Sequence, residues 1–304
     1  MGALANRDFV KMNGLGNEIV IVDLRRAPDL AASGLAASGL AVQSEIAAAE
    51  ARAAARQEPF DQLMALYPAR GNDASVNAAI RIYNNDGSEA GACGNGMRCV
   101  AALVSGETGG GALKFESPAG IISCWRASDG LFTVDMGAPR FRWDEIPLAR
   151  EFSDTRAIDL KVPGLPGLQS PSAVSMGNPH AIFWVDDPFA YDLAAIGPKL
   201  EHDPLFPERA NITLAATPAR DRIVIRTWER GAGLTQACGS AACAAAVAAA
   251  RLNRTGRKVT VSLPGGELAI AWREADNHVL MTGPVEFEHK GRFDAALLAG
   301  AGAA

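Results

Sequence analysis

The sequence predicts an α+β (mixed α/β) protein of two pseudo-symmetric domains. Each would be a curved, mainly antiparallel sheet wrapped around one central helix. Three observations carry that expectation. The stretch RIYNNDGSEAGACGNGMR, residues 81–98, has a twin in RTWERGAGLTQACG, residues 226–239. Placing Cys93 on Cys238 puts, without a gap, Gly94 on Gly239, Ala92 on Ala237, Tyr83 on Trp228 and Arg81 on Arg226. Downstream, Met136 and Met281 lie equally far beyond their cysteines, as do Pro139 and Pro284. Pro118-Ala119-Gly120 and Pro264-Gly265-Gly266 fall at nearly the same offset. Finally, each half reads as short strand-like runs around a single long apolar helical run. The expected domains are residues 1–135 with 284–304, carrying Cys93, and residues 136–283, carrying Cys238.

In chain order, residues 9–23 read as a strand, a turn around Gly14 and Gly16, and a second strand. A weaker echo, SAVSMGNPHAIFWVDD, opens the second half at Ser172. Residues 27–58 form an Ala/Gly/Ser-biased insert whose second part has the propensity of a surface helix. Strands are expected over 60–67 and 77–83, the latter closed by the turn Asn84-Asn85-Asp86-Gly87. A helix should run from Gly94 through Val104, stopping at Gly106, followed by strands over 113–117, 120–126 and 131–135. Residues 137–167, rich in proline and charge, suit the crossing between halves. The second half then repeats the plan. It has strands over 181–185, 206–214 and 223–228, a helix over 239–252, and strands over 259–263, 267–272 and 278–281. The tail from Gly291 should fray.

The bulk properties of the 304 residues exclude several classes: 48% are hydrophobic and 21% charged, with a net charge of −5. That balance gives no basic footprint for nucleic acid. The opening residues lack a signal-peptide pattern, and no apolar run is long enough to span a membrane. The expected location is therefore cytoplasmic, where thiols stay reduced. Five cysteines form no disulfide framework, C-x-x-C pair or zinc-ligand spacing.

A cysteine at a helix N-terminus faces unsatisfied backbone N–H groups and the positive end of the helix dipole, which lowers its thiol pKa. The glycine after each cysteine lets a ligand approach the backbone, and the same N–H groups suit a carboxylate. Two such corners related by duplication suit inversion at a carbon bearing an acidic hydrogen. A thiolate removes the proton from one face, and a thiol returns one to the other. Helix ends aimed at a carboxylate would stabilise the carbanionic transition state. Cys99, Cys124 and Cys243 read as inert core cysteines instead. His180 reads equally as a satisfied core histidine or a site group. The GNGMR run lacks the Gly-Lys-Ser/Thr ending of a phosphate loop.

The runs KMNGLGNEIVIVD, FDQL, NNDGSEAGACGNGMRC, SMGNPHA, FPERANI and WERGAGLTQACGSAACAA, in this order over nearly the whole chain, resemble diaminopimelate epimerase. The resemblance implies a cofactor-independent isomerase, usually a homodimer, that interconverts LL- and meso-diaminopimelate in lysine and peptidoglycan biosynthesis. It places the catalytic pair on Cys93 and Cys238. It implies that Asn17, Gly94, Asn95, Gly239 and Ser240 hold the reacting end of the substrate. Asn84, Asn178, Asn211 and Arg230 would grip the distal end, with Glu229 beside it, Gln62 lining the site, and His180 supporting near the thiols. No metal and no cofactor are implied. Asn13, Leu234, Ala241 and the insert over 27–58 depart from the family pattern without removing a thiol or a ligand. Proline racemase and hydroxyproline epimerase share the implied fold, but their substrates have no use for a distal carboxylate clamp. A silent small-molecule binder would not need both Cys-Gly corners, and a thiol redox protein would call for C-x-x-C.

Overall fold

The computed structural model describes residues 2–25, 45–71, 73–109 and 111–294. The first part of the insert and the last ten residues lie outside them. The chain divides into two compact units, residues 1–132 with 284–304 and residues 133–283.

In the first unit β1 (Asp8–Asn13) and β2 (Glu18–Asp23) form an antiparallel hairpin. Its turn puts Leu15 and Gly16 at positive φ, and Gly16 N donates to Asn13 Oδ1 at 2.6 Å. Then come α1 (Ala48–Gln57), β3 (Gln62–Tyr67), β4 (Ala78–Asn84), the two-residue β5 (Glu89–Ala90) and α2 (Gly94–Thr108). The strands β6 (Ala112–Ser117) and β7 (Gly120–Ser128) follow, and β8 (Leu131–Asp135) leads into the second unit. There β9 (Ser172–Ser175), β10 (Pro179–Trp184), α3 (Leu193–Glu201), β11 (Asn211–Ala219), β12 (Arg222–Glu229) and β13 (Gly233–Leu234) precede α4 (Gly239–Arg251). Three strands, β14 (Lys258–Leu263), β15 (Gly266–Trp272) and β16 (Val279–Pro284), follow α4. The last strand, β17 (Glu286–Arg292), pairs antiparallel with β1.

The ladders repeat between units. In the first, β1–β2 is antiparallel, β2–β3 parallel, β3–β4 and β4–β5 antiparallel, β4–β6 parallel and β6–β7 antiparallel. The second unit runs β9–β10, β10–β11, β11–β12, β12–β13, β12–β14 and β14–β15 in the same alternation of senses. This is the mixed, mainly antiparallel architecture that the sequence predicts.

The register also shows how the echo SAVSMGNPHA lines up with the first hairpin: Met12 pairs with Ile19, and Val174 pairs with His180. Ile19 then faces Gln62 across the parallel ladder, and His180 faces Asn211. The residues that correspond are therefore Asn17 and Asn178, each immediately before its strand.

Each unit is organised around its longer helix. α4 is mostly alanine, and residues 241–249 are buried, so it is apolar on every side and packs against β9, β10, β11, β12, β14 and β15. Alanine has the highest helix propensity and no side chain beyond Cβ, which lets strands approach closely. α2 packs against β2, β3, β6 and β7 and ends at Gly109 in the left-handed conformation.

Two further expectations change, and one gains detail. The insert helix α1 lies at the surface, as predicted, with Ala48, Arg52, Arg56 and Gln57 exposed, but its other face is core. Ala51, Ala53 and Ala54 are fully buried in the core with Leu4, Phe9 and Phe293, and Leu4 N donates to Glu50 Oε1 at 2.6 Å. The tail does not fray at Gly291: β17 runs through Arg292, and Phe293 stacks on Phe9 at 4.7 Å. Residues 137–167 are more than a crossing, because Ile146, Leu148 and Ile158 pack with Phe183 and Leu193 in the core of the second unit. No helix among the described residues is long and apolar enough to cross a membrane.

Candidate active site

The predicted site residues fall into two groups, one in each unit. In the first, Cys93 caps α2 with extended backbone (φ −148°), and its sulfur accepts from Gly96 N at 3.2 Å. A Cβ on Gly96 would lie 2.6 Å from Met64 Sδ and 3.2 Å from Cys93 Sγ, so only glycine admits this contact. The sulfur also lies 3.7 Å from Asn17 Oδ1 and 3.7 Å from Gln62 Oε1. The sequence reading gave Gln62 only a lining role; its carbonyl in fact reaches the thiol.

Gln62 and Asn84 are paired across β3 and β4, and Gln62 Nε2 donates to Asn84 Oδ1 at 3.4 Å. Asn17 Nδ2 donates to Asp61 Oδ2 at 2.8 Å. Gly94 and Asn95 open the helix, and Asn95 Oδ1 accepts from the fully buried Arg98 at 2.9 Å. An arginine buried this deeply needs hydrogen-bond partners, and Asn95 supplies one, so its side-chain acceptor is committed to the helix.

In the second unit Cys238 caps α4, is 4% exposed, and lies 3.5 Å from Ser240 Oγ. Asn178 Nδ2 donates to Ser240 Oγ at 3.3 Å, and His180 Nε2 lies 2.9 Å from Asn178 Oδ1. Asn211 is buried between two backbone partners: Nδ2 donates to Pro179 O at 3.0 Å and Oδ1 accepts from Arg230 N at 3.0 Å. The Arg230 guanidinium donates to Glu208 O at 2.9 Å. Glu229 accepts from the Thr235 hydroxyl.

Burial overrides the expected effect of the helix end at Cys238. Its thiol pKa is pushed well above the ordinary value, first by desolvation and then by the Glu229 charge. The Ser240 hydroxyl and Ala241 N–H pull the other way and lose. The expectation of a lowered thiol at this corner is therefore corrected: Cys238 is held as a thiol. His180 is fully buried, and desolvation followed by the Arg230 charge lowers its pKa to about 3, so it is neutral at physiological pH. Cys99, Cys124 and Cys243 are fully buried, and burial pushes the Cys99 thiol up to about 12. They are core cysteines, as predicted.

Sequence reasoning missed four residues that hold these groups: Asp61, Ser88, Arg98 and Glu201. Asp61 was adjacent to a named residue in the FDQL run; Glu201, on α3, had no local signal. Among the described residues the metal-like cluster is Asp135, Asp276 and His278, within 4.8 Å of one another. Arg273 donates to Asp135 Oδ2 at 3.0 Å and Asp276 Oδ1 at 2.8 Å, which makes this an ion-pair network.

The diaminopimelate epimerase family model matches residues 9–142 and 172–288. The diaminopimelate epimerase of Rhodopseudomonas palustris (strain TIE-1) is 60% identical over 304 residues, covering 99% of this chain and 98% of that protein. That of Nitrobacter hamburgensis is 60% identical over 306 residues, covering 98% and 99%. Among solved structures, a hydroxyproline epimerase from Agrobacterium vitis with bound trans-4-hydroxy-L-proline superposes with a TM-score of 0.64 at 14% identity. It covers 99% of this chain and 96% of that one. A predicted epimerase from Pseudomonas aeruginosa gives 0.63 at 18% identity, covering 94% and 99%. These structural likenesses carry the fold; the sequence matches carry the family. This chain belongs to the diaminopimelate epimerase family.

Proposed function

We propose that this epimerase interconverts LL- and meso-2,6-diaminopimelate without a cofactor, through Cys93 and Cys238 acting on one α-carbon. One sulfur removes the α-proton as thiolate, and the other returns a proton as thiol. The single observation that supports this most is the repeated corner: each unit delivers a cysteine, followed by glycine, as the N-cap of its most buried helix. The first-turn N–H groups of both helices, with Gly94, Asn95, Gly239 and Ser240, suit the carboxylate at the reacting end. Amide side chains at Asn17 and Gln62 suit the ammonium. Arg230, Asn84, Asn178 and Asn211 form the distal clamp of this reading, arginine supplying the fork for the second carboxylate.

The repeated ladder order supports descent of residues 1–135 with 284–304 and residues 136–283 from one duplicated segment. Family membership supports a cytoplasmic homodimer in lysine and peptidoglycan precursor synthesis; sedimentation velocity at micromolar concentration tests the dimer. For the reaction, LL-diaminopimelate in deuterated water, without added cofactor or metal, should give meso product labelled at one α-carbon. Cys93→Ala and Cys238→Ala should each abolish that conversion. Full turnover by either variant would remove the two-thiol mechanism.

A further inference from the structure

Two hydrogen-bond chains run inward to Cys93, and each begins at a carboxylate. We propose that Asp61 and Asp86 are positioning residues that fix the direction of both chains, so that each presents a carbonyl oxygen, not an N–H, to the Cys93 sulfur.

The direction follows from donor and acceptor inventory. An ionised carboxylate only accepts. Asp61 Oδ2 takes Glu18 N at 2.9 Å and an Asn17 amide nitrogen at 2.8 Å. With its nitrogen committed there, Asn17 can show only Oδ1 to the sulfur, at 3.7 Å. In the second chain Asp86 Oδ1 accepts the Ser88 hydroxyl proton at 2.6 Å and Ser88 N at 2.8 Å. The hydroxyl has one proton, so Ser88 Oγ accepts from Asn84 Nδ2 at 3.0 Å. Asn84 Oδ1 in turn accepts from Gln62 Nε2 at 3.4 Å, and Gln62 Oε1 is left facing the sulfur at 3.7 Å. Reversing Asn17 would place its carbonyl against the Asp61 carboxylate, and reversing Gln62 would place its carbonyl against that of Asn84. The carboxyl of Asp86 is held below its ordinary range, first by the Ser88 hydroxyl, which keeps that chain anchored on an anion.

Carbonyls that accept from a thiol favour the protonated sulfur, and two of them aimed at a thiolate disfavour it. Gly96 N–H acts the other way. Charged or titratable groups near this corner include Arg98, buried in the same helix and bonded to Asn95, and Cys99, itself held protonated by burial and also felt by the Glu288 charge. The carbonyl pair therefore holds the proton on Cys93 until an ammonium group competes for the same oxygens, which couples substrate entry to release of the base. That last consequence rests on the role proposed above for Cys93; the orientation of the amides does not.

The test needs no substrate. In a Cys238→Ser background, the rate of Cys93 alkylation by iodoacetamide is followed against pH, with the modified residue located by mass spectrometry. Asp61→Ala removes the acceptor that holds the Asn17 amide nitrogen, so Asn17 turns its own N–H toward the sulfur. The midpoint of the profile should then fall, raising the rate at pH 7 about 10-fold, while the high-pH plateau stays put. Ser88→Ala, which severs the second chain, should move the midpoint in the same direction by less, about 3-fold in rate. It also keeps the question decidable if Asp61→Ala does not fold. An unmoved midpoint in a folded variant overturns the proposal. So does a raised plateau at fixed midpoint, which would mean loosening alone. Either failure leaves the two-thiol reaction standing, because that is decided by isotope exchange in the cysteine variants.

Discussion

The Trp228 indole donates to Glu201 Oε2 at 2.7 Å, while the other oxygen of Glu201 accepts Gly231 N at 2.9 Å and Arg209 Nη1 at 3.4 Å. One buried carboxylate thus ties α3 to both sides of the turn that carries Glu229 and Arg230. Glu201→Gln keeps the shape but turns N–H toward donors. It should cost about 1–3 kcal/mol of stability and raise KM for diaminopimelate about 10-fold, with kcat less affected. Urea unfolding and steady-state kinetics check the two effects.

Cysteine labelling should follow the burial of each sulfur. Cys93 is partly exposed and should react first; Cys238, buried and held as a thiol, should trail it by at least about 10-fold at pH 7. Cys99, Cys124 and Cys243 should stay unmodified until the protein unfolds. Removing the Glu229 charge in Glu229→Gln takes away a cause of the raised Cys238 thiol, so its labelling should quicken. Timed mass spectrometry of iodoacetamide-treated protein reads all five positions.

Gly96→Ala would push a methyl against Met64 Sδ and Cys93 Sγ. Both belong to the corner itself, so the damage should be to turnover, by about 100-fold or more. Stability should change by no more than the ~1–3 kcal/mol of ordinary overpacking. A variant with wild-type turnover would show that the helix start relaxes more than this packing allows.

His180 gives a signed pH dependence. Its folded pKa, about 3, lies below the ordinary value near 6.5, so the unfolded chain binds the proton that the native state refuses. Its contribution is fully present above about pH 6.5 and is lost as pH falls from there toward 3. The loss should be on the order of a few kcal/mol. Replacing it in His180→Gln should flatten the stability profile in that window, as measured by denaturant midpoints at successive pH values.

The corners were legible because their information is local. Cys93-Gly94 and Cys238-Gly239, the strands leading into them and the helices leaving them are all read from neighbouring residues. Residues that act across the ladder were not. Nothing in the sequence near Glu201 announces that its carboxylate will meet Trp228 and Gly231. The NNDG run marked a turn but did not show that Ser88 would relay Asp86 to Asn84. β5 and β13 are two residues each, too short for alternation to register, and exist because a neighbouring strand supplies the ladder. β17 pairs with β1 from the far end of the chain, and its mixed-charge sequence resembles a tail until that partner is known. At Cys238 the helix-end argument was sound in sign, but burial proved the larger effect, and burial is a tertiary quantity.

Across the β3–β4 ladder Gln62 meets Asn84, whereas one rung beyond the Ile212–Trp228 pair the second unit places Asn211 and Glu229. An amide in one ancestral copy thus answers to an acid in the other, and the Glu229 charge acts on the Cys238 sulfur. Under the two-thiol reaction proposed above, such drift after doubling gives the two sulfurs different surroundings, so the forward and return half-reactions are not mirror images of each other.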